Sequence, residues 1–206
     1  MTTSSAPAAR DRGNRSAILT RSTSETQIDV AVVLDGTGVG QISTGIGFLD
    51  HLLEALTRHA ALDLRLTCTG DLHIDDHHTA EDCALAVGAS LDLALGERRG
   101  IARFGHAYAP LDESLARAVV DLSGRPFAVV DLGLTRDAIG GLSCENITHF
   151  ISSLATSLRA SIHVDVLRGS NNHHRAEAAF KALALALRAA IAPRESDDIP
   201  STKGVL

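Results

Sequence analysis

One short pattern occurs twice, far apart, in this chain. His77-His78-Thr79-Ala80-Glu81 recurs as His173-His174-Arg175-Ala176-Glu177, and each copy opens a long Ala/Leu-rich stretch that reads as a helix. Residues four apart share a helical face, so the first histidine and the glutamate of each copy can reach one point in space. Imidazole nitrogen and carboxylate oxygen are suitable donors for a borderline divalent metal. A single copy reads equally well as a polar helix start, capped by Asp75 or Asp76, with Glu81 opposing the helix dipole. Two copies at identical spacing favour a duplicated metal-binding unit. That duplication constrains the fold, because the chain must build one small structure twice.

The repeat extends upstream. Asp50-His51-Leu52-Leu53-Glu54-Ala55-Leu56 corresponds to Thr148-His149-Phe150-Ile151-Ser152-Ser153-Leu154. Between each of these and its histidine pair lies an alternating run, Leu62, Leu64, Leu66 in one half and Ile162, Val164, Val166 in the other. Alternation at period two reads as a half-buried strand. The runs end near Gly70 and Gly169, and earlier still Val30–Asp35 and Val119–Leu122 each read as a strand entering a tight turn. The order expected in each half is strand, strand, helix, strand, strand, helix, making a small sheet covered by helices on one face. The halves are expected over about residues 16–100 and 101–193, with residues 1–15 a disordered tail and 194–206 a C-terminal tail. A short organellar presequence is the lesser reading of residues 1–15.

Composition removes several classes of function. A hydrophobic content of 45% can build a core, and a net charge of -6 argues against nucleic acid as the main partner. No apolar run is long enough to cross a bilayer, so no membrane partner is expected. Cys68, Cys83 and Cys144 form no CxxC pair and read as buried free thiols in a reducing compartment.

The matched positions select the candidate ligands. A single histidine near a helix start is ordinarily structural, but His51 and His149 occupy matched places in the two halves. Asp82 lies four after His78, yet its counterpart is Ala178, whereas Glu81 matches Glu177. The candidate set is therefore His51, His77, His78, Glu81, His149, His173, His174 and Glu177, with Asp82 left as an acceptor for an imidazole N–H. Six histidines and two glutamates suit two metals with open positions, and a six-coordinate ion such as Mn²⁺ better than a closed tetrahedral zinc site. His59, His73, His106 and His163 read as surface or structural residues. Arg103, Arg125, Ser201 and Lys203, each near a turn, could together hold a phosphate, for which the guanidinium fork is well shaped. Glu25 by itself is an edge-strand carboxylate. A metal-storage oligomer and a dinuclear metallohydrolase remain alternatives on these residues alone.

The segments LDGTG (34–38), TGIGFLDHLLEAL (44–56), GDLHIDDHHTAED (70–82), DLSGRPF (121–127), HHRAEAAFKALALALR (173–188) and STKG (201–204) resemble the imidazoleglycerol-phosphate dehydratases of histidine biosynthesis. The resemblance runs from about Arg21 to the C-terminus in family order. Leu52 and Leu111 stand where the family often has methionine, and neither is a proposed ligand.

The resemblance implies a duplicated α+β fold, each half a four-stranded sheet backed by two helices, of the ribosomal protein S5 domain 2-like kind. It also implies a cytoplasmic hydro-lyase with two Mn²⁺ per active site and a homo-oligomer of twenty-four copies with sites between subunits. Two halves that present matched partial sites suit completion by a neighbouring subunit. The implied reaction is dehydration of D-erythro-imidazole-glycerol 3-phosphate to imidazole-acetol phosphate. Glu25, His51, His78 and Glu177 are the catalytic residues it implies. Glu25, His51, Arg103, Arg125, Ser201 and Lys203 are those it implies for substrate.

Overall fold

The computed structural model describes residues 15–206; the tail expected over residues 1–15 falls, but for Arg15, outside the described residues. The first half runs β1 (Ser16–Ser22), β2 (Thr26–Val33), β3 (Gly40–Ser43), α1 (Gly47–Ala60), β4 (Asp63–Gly70) and α2 (His77–Leu95). The second runs β5 (Phe104–Leu111), β6 (Ser114–Asp121), β7 (Phe127–Asp131), the short β8 (Ala138–Ile139) and β9 (Leu142–Ser143), α3 (Cys144–Leu158), β10 (Ser161–Arg168) and α4 (Asn172–Ile191).

The two large sheets have one topology, β1-β2-β4-β3 and β5-β6-β10-β7, and in each the last pair is parallel and the others antiparallel. The element order departs from the sequence expectation. Three strands of the large sheet precede the first helix of each half, with the small β8–β9 pair added in the second, and one strand separates the helices. The unforeseen strand β3 is only Gly-Gln-Ile-Ser, too short for period-two alternation to register, and it is held by its parallel pairing with β4.

Each sheet turns one face to the helices. Ile28, Val30, Val32, Leu64 and Leu66 are buried under the first sheet, and Ala116, Ala118, Val120, Ile162 and Val164 under the second. The four helices form the middle of the molecule, with α2 packed on α3 and α1 on α4. Layers therefore run sheet, helices, sheet. The Ala-rich helices fit this position because small side chains allow burial on several sides. In α4, Ala176, Ala178, Ala179, Ala182, Ala184, Ala186 and Ala190 are all fully buried. At Gly88 of α2 a Cβ would lie 2.8 Å from the Leu154 carbonyl oxygen of α3, so a larger residue would force these helices apart. The packing sets helices from different halves side by side, which decides where the histidines meet.

Between the halves, Arg98 is buried and donates to the Leu158 carbonyl at 2.6 Å, the Arg159 carbonyl at 3.0 Å and Asp92 Oδ1 at 2.6 Å. It satisfies carbonyls left open at the end of α3 and ties the linker to both halves.

Candidate metal centres and active site

Local structure positions the candidate ligands. In the first turn of α1, Asp50 Oδ1 accepts from Thr44 N at 2.8 Å and Thr44 Oγ1 at 2.6 Å, which closes the turn at residues 44–47 and fixes the start of the helix next to His51. Asn171 caps α4, accepting from His173 N at 2.9 Å and His174 N at 3.4 Å, a contact worth about 1 kcal/mol. In α2 it is Asp75 that accepts from His77 N, at 2.8 Å, while Asp76 turns to accept from Ser143 N and Oγ.

Two three-residue clusters result, and both join the halves. His51 of α1 meets His173 and Glu177 of α4; His149 of α3 meets His77 and Glu81 of α2. In each, the ligand atoms all lie within 4.8 Å of one another. In the first, His51 Nε2 and His173 Nε2 lie 3.1 and 3.2 Å from Glu177 Oε2. In the second, His149 Nε2 lies 3.2 Å from Glu81 Oε1, His77 Nε2 lies 3.6 Å from Glu81 Oε2, and the two imidazoles stack at 5.0 Å. Two imidazoles and a carboxylate converging through Nε2 and oxygen form a donor set that fits a divalent ion with positions to spare.

The surroundings of the carboxylates differ. Lys181, one turn beyond Glu177, donates to its second oxygen Oε1 at 2.8 Å. Burial alone would raise the Glu177 pKa, but the bonds from Lys181 and His51 outweigh it and hold the carboxyl at about 2. Leu85 takes the place of Lys181 behind Glu81. Conversely, His77 Nδ1 is 3.0 Å from Asn146 Oδ1, which fixes Nε2 toward Glu81, whereas the corresponding position in α1 is Phe48, its ring 4.9 Å from that of His173.

His78 and His174 join neither cluster. His78 Nδ1 is 3.0 Å from Asp71 Oδ2, and its Nε2 is 3.7 Å from Glu25 Oε1. His174 Nδ1 is 2.8 Å from Glu113 Oε2, and its Nε2 is 3.8 Å from Asp112 Oδ2. The carboxylate bonds raise both histidine pKa values, through Asp71 for His78 and Glu113 for His174. The Glu113 carboxyl is held well below the ordinary range, first by His174 and then by the Asn171 and Ser170 backbone N–H groups. Glu113 lies in the β5–β6 hairpin where Glu25 lies in the β1–β2 hairpin.

Asp82 is corrected. It is bound by Arg21 Nη2 at 2.6 Å and by the Thr26 hydroxyl, so it ties α2 to the first sheet and serves no imidazole. Asp71, Glu113, Asn146 and Lys181 are the partners that sequence reasoning missed. Lys181 had a signal in its spacing from Glu177, and Glu113 in its hairpin position; the other two had none.

A family model described as imidazoleglycerol-phosphate dehydratase matches residues 44–187. The chain belongs to that family. Relatives named imidazoleglycerol-phosphate dehydratase include one from Candida glabrata, 56% identical over 208 residues, covering 92% of this chain and 99% of that protein. Another, from Phaffia rhodozyma, is 58% identical over 197 residues, covering 93% of this chain and 96% of that protein. Crystal structures show the same architecture. The Pyrococcus furiosus enzyme, in complex with (S)-C348, superposes with a TM-score of 0.78 at 41% identity, over 91% of this chain and all of that one. The Staphylococcus aureus enzyme also gives 0.78, at 34% identity, over 86% of this chain and 99% of that one. The chain is thus a hydro-lyase of the imidazoleglycerol-phosphate dehydratase family, with the duplicated α+β fold and His/Glu groups able to hold metal. Among the described residues no helix is long and apolar enough to cross a membrane.

The family match includes all eight candidate ligands but stops short of Glu25, Ser201 and Lys203. Arg103 and Ser201 line one cavity of about 520 Å³, with Phe104, Arg194 and Pro200. Arg103 donates Nε and Nη2 to Asp121 at 2.7 and 3.1 Å and Nη1 to the Pro200 carbonyl at 2.8 Å. A guanidinium has five N–H groups, so two remain to offer an anion. Arg125 and Lys203 are exposed and do not line that cavity; the C-terminal Leu206 lies against Gly124, beside Arg125.

Arg103, which lines one cavity with Ser201, is remote from His174 in the same chain. Arg103 adjoins Ala190 near the end of α4, whereas His174 opens that helix, and sixteen residues of α-helix span about 24 Å. The strand β5 gives the same answer, since its eight residues separate Arg103 from the Glu113 hairpin by about 26 Å.

Proposed function

We propose that this chain catalyses the manganese-dependent dehydration of D-erythro-imidazole-glycerol 3-phosphate to imidazole-acetol phosphate, in active sites shared between subunits of a homo-oligomer. The carrying observation is the split of the ligands: two clusters of two histidines and a glutamate, and two further histidines, His78 and His174, that join neither. The remoteness of Arg103 from His174 supports the same reading. A substrate this small cannot span about 24 Å, so one chain's phosphate residues serve ligands of another. Residues 16–100 and 101–193 act as the repeat halves of one catalytic unit and 194–206 as its substrate-binding tail, in a cytoplasmic enzyme. Assembly into twenty-four copies follows from the family resemblance.

Bound divalent ions would supply Lewis acidity, letting the azole ring accept charge that no adjacent carbonyl can take. His51, His173 and Glu177 would hold one ion and His77, Glu81 and His149 the other, with His78 and His174 completing the centres of neighbouring subunits. Asp71 and Glu113 aim those last two imidazoles by engaging Nδ1 and leaving Nε2 outward. Glu25 would move the proton between carbons and solvent, a role supported by its 3.7 Å distance from His78 Nε2. Arg103, Arg125, Ser201 and Lys203 would fix the phosphate and so the reacting carbons. The proton and hydroxyl leave as water, and the enol becomes the ketone.

The deciding experiment loads the protein with Mn²⁺, supplies imidazole-glycerol phosphate, and measures both ketone and free phosphate. Ketone without phosphate is the expected result. Phosphate release would indicate a dinuclear hydrolase, and neither product a metal-storage role.

A further inference from the structure

The reaction uses no thiol, yet two of the three free cysteines are brought together. Their meeting follows from the register of β4 and α2. The chain leaves β4 at Gly70 and returns along α2, and the two elements touch where a Cβ on Gly70 would lie 2.1 Å from Thr79 Oγ1. Two residues back along the strand is a step of about 6.6 Å. Four residues on along the helix is a step of about 6 Å. Because strand and helix run oppositely, these equal steps bring Cys68 opposite Cys83, both on the core-facing sides of their elements, and each thiol perturbs the other's ionisation. Their exposure differs. Cys83 is fully buried, whereas Cys68 is half-buried near the end of the sheet. The contact with Cys83 holds the Cys68 thiol below its ordinary pKa, despite burial and the nearby Asp82.

We infer that Cys68 and Cys83 are a thiol–disulfide modification site, closed by hydrogen peroxide and reopened by a thiol reductant. Cys68 is the attacking sulfur because it is the one that solvent reaches. Its thiolate attacks one peroxide oxygen and the O–O bond breaks, giving the Cys68 sulfenic acid and hydroxide, which takes up the thiol proton as water. Cys83 sulfur then attacks Cys68 sulfur; the S–O bond breaks, a second water leaves, and the S–S bond forms. Two thiols are oxidised and one peroxide is reduced to two waters. The bond joins β4 to the turn of α2 just beyond Glu81.

Peroxide titration of the folded protein tests this by intact mass and peptide mapping. The expected outcome is a loss of about 2 Da, a linked pair of peptides containing Cys68 and Cys83, and full reversal by dithiothreitol. Cys83→Ser removes the resolving thiol, so a dimedone adduct should accumulate at Cys68; Cys68→Ser should abolish both adduct and link. Both variants should keep reduced-state dehydration activity, which checks their folding. Direct conversion of Cys68 to sulfinic acid in the native chain without a link, or faster oxidation at Cys144, would overturn the assignment. Because the mass readout is made on the native chain and needs neither metal nor substrate, its outcome is independent of the proposed reaction.

Discussion

The two candidate metal clusters have the same composition but are supported differently. His51, His173 and Glu177 rely on the carboxylate side: Lys181 grips Glu177, whose side chain is 14% exposed. His77, Glu81 and His149 rely on the imidazole side: Asn146 aligns His77, while Glu81 is 36% exposed and backed by Leu85. A ligand set can thus be duplicated while the groups that orient it diverge. Those groups decide how each centre responds to damage, because they set the charge and freedom of the ligand.

The largest separation is expected from the glutamates. Glu177→Gln and Glu81→Gln each keep shape but lose the anionic donor, and each should cost more than the roughly 100-fold typical of losing an orienting partner. Glu177→Gln should be the more severe, because it leaves the Lys181 ammonium facing the ion without its counter-charge. Metal analysis after dialysis checks this, and equal, full metal content in both variants would break the ligand assignment.

Asn146→Leu comes next. Loss of the oxygen beside His77 Nδ1 should weaken only the His77 centre, by about 10- to 100-fold. The matching change at Phe48, to Leu, should leave ring orientation at His173 without a comparable loss. Competition titrations with a chelator read both, and parallel effects in the two variants would mean that Asn146 acts through packing alone.

A smaller effect is expected from Lys181→Leu, which gives the His51 centre the Leu85 arrangement of the other. Removing a cation beside the ion should tighten metal there by a factor of roughly 10 or less, given the partial exposure of the pair. Looser binding would mean that Lys181 holds Glu177 in place more than it competes for it.

The smallest effect is in pH dependence. The His78 and His174 pKa values are raised, by Asp71 and Glu113. In the metal-free chain their protonated contacts stabilise the fold below the ordinary histidine pKa of about 6.5, and that contribution is lost as pH rises through the raised values. Metal loading has the opposite sign, since it needs neutral imidazole and weakens as pH falls through those values. NMR titration of the metal-free protein should place both above about 6.5, with Glu113→Gln returning His174 alone. Unchanged titration of His174 in that variant would remove Glu113 as its partner.

Much of this chain was legible in its sequence. Repetition gave the two halves and the eight candidate ligands, because helical spacing is fixed by covalent geometry and needs no neighbour. Alternation revealed β4 and β10, whose inward residues are apolar for the same reason. The four-residue β3 stayed hidden because its pairing, not its pattern, makes it a strand. Asp82 was misassigned because its spacing from His78 says nothing of Arg21 and Thr26, which reach it from β1 and β2 of the first sheet. Only the tertiary structure decided that His51 meets Glu177 and His149 meets Glu81. Those pairings follow from packing α1 on α4 and α2 on α3, a choice made by buried surface between residues 126 apart in the first pair and 69 apart in the second. Local spacing determines which donors can share a helix face, and the packing of distant helices determines which faces share an ion.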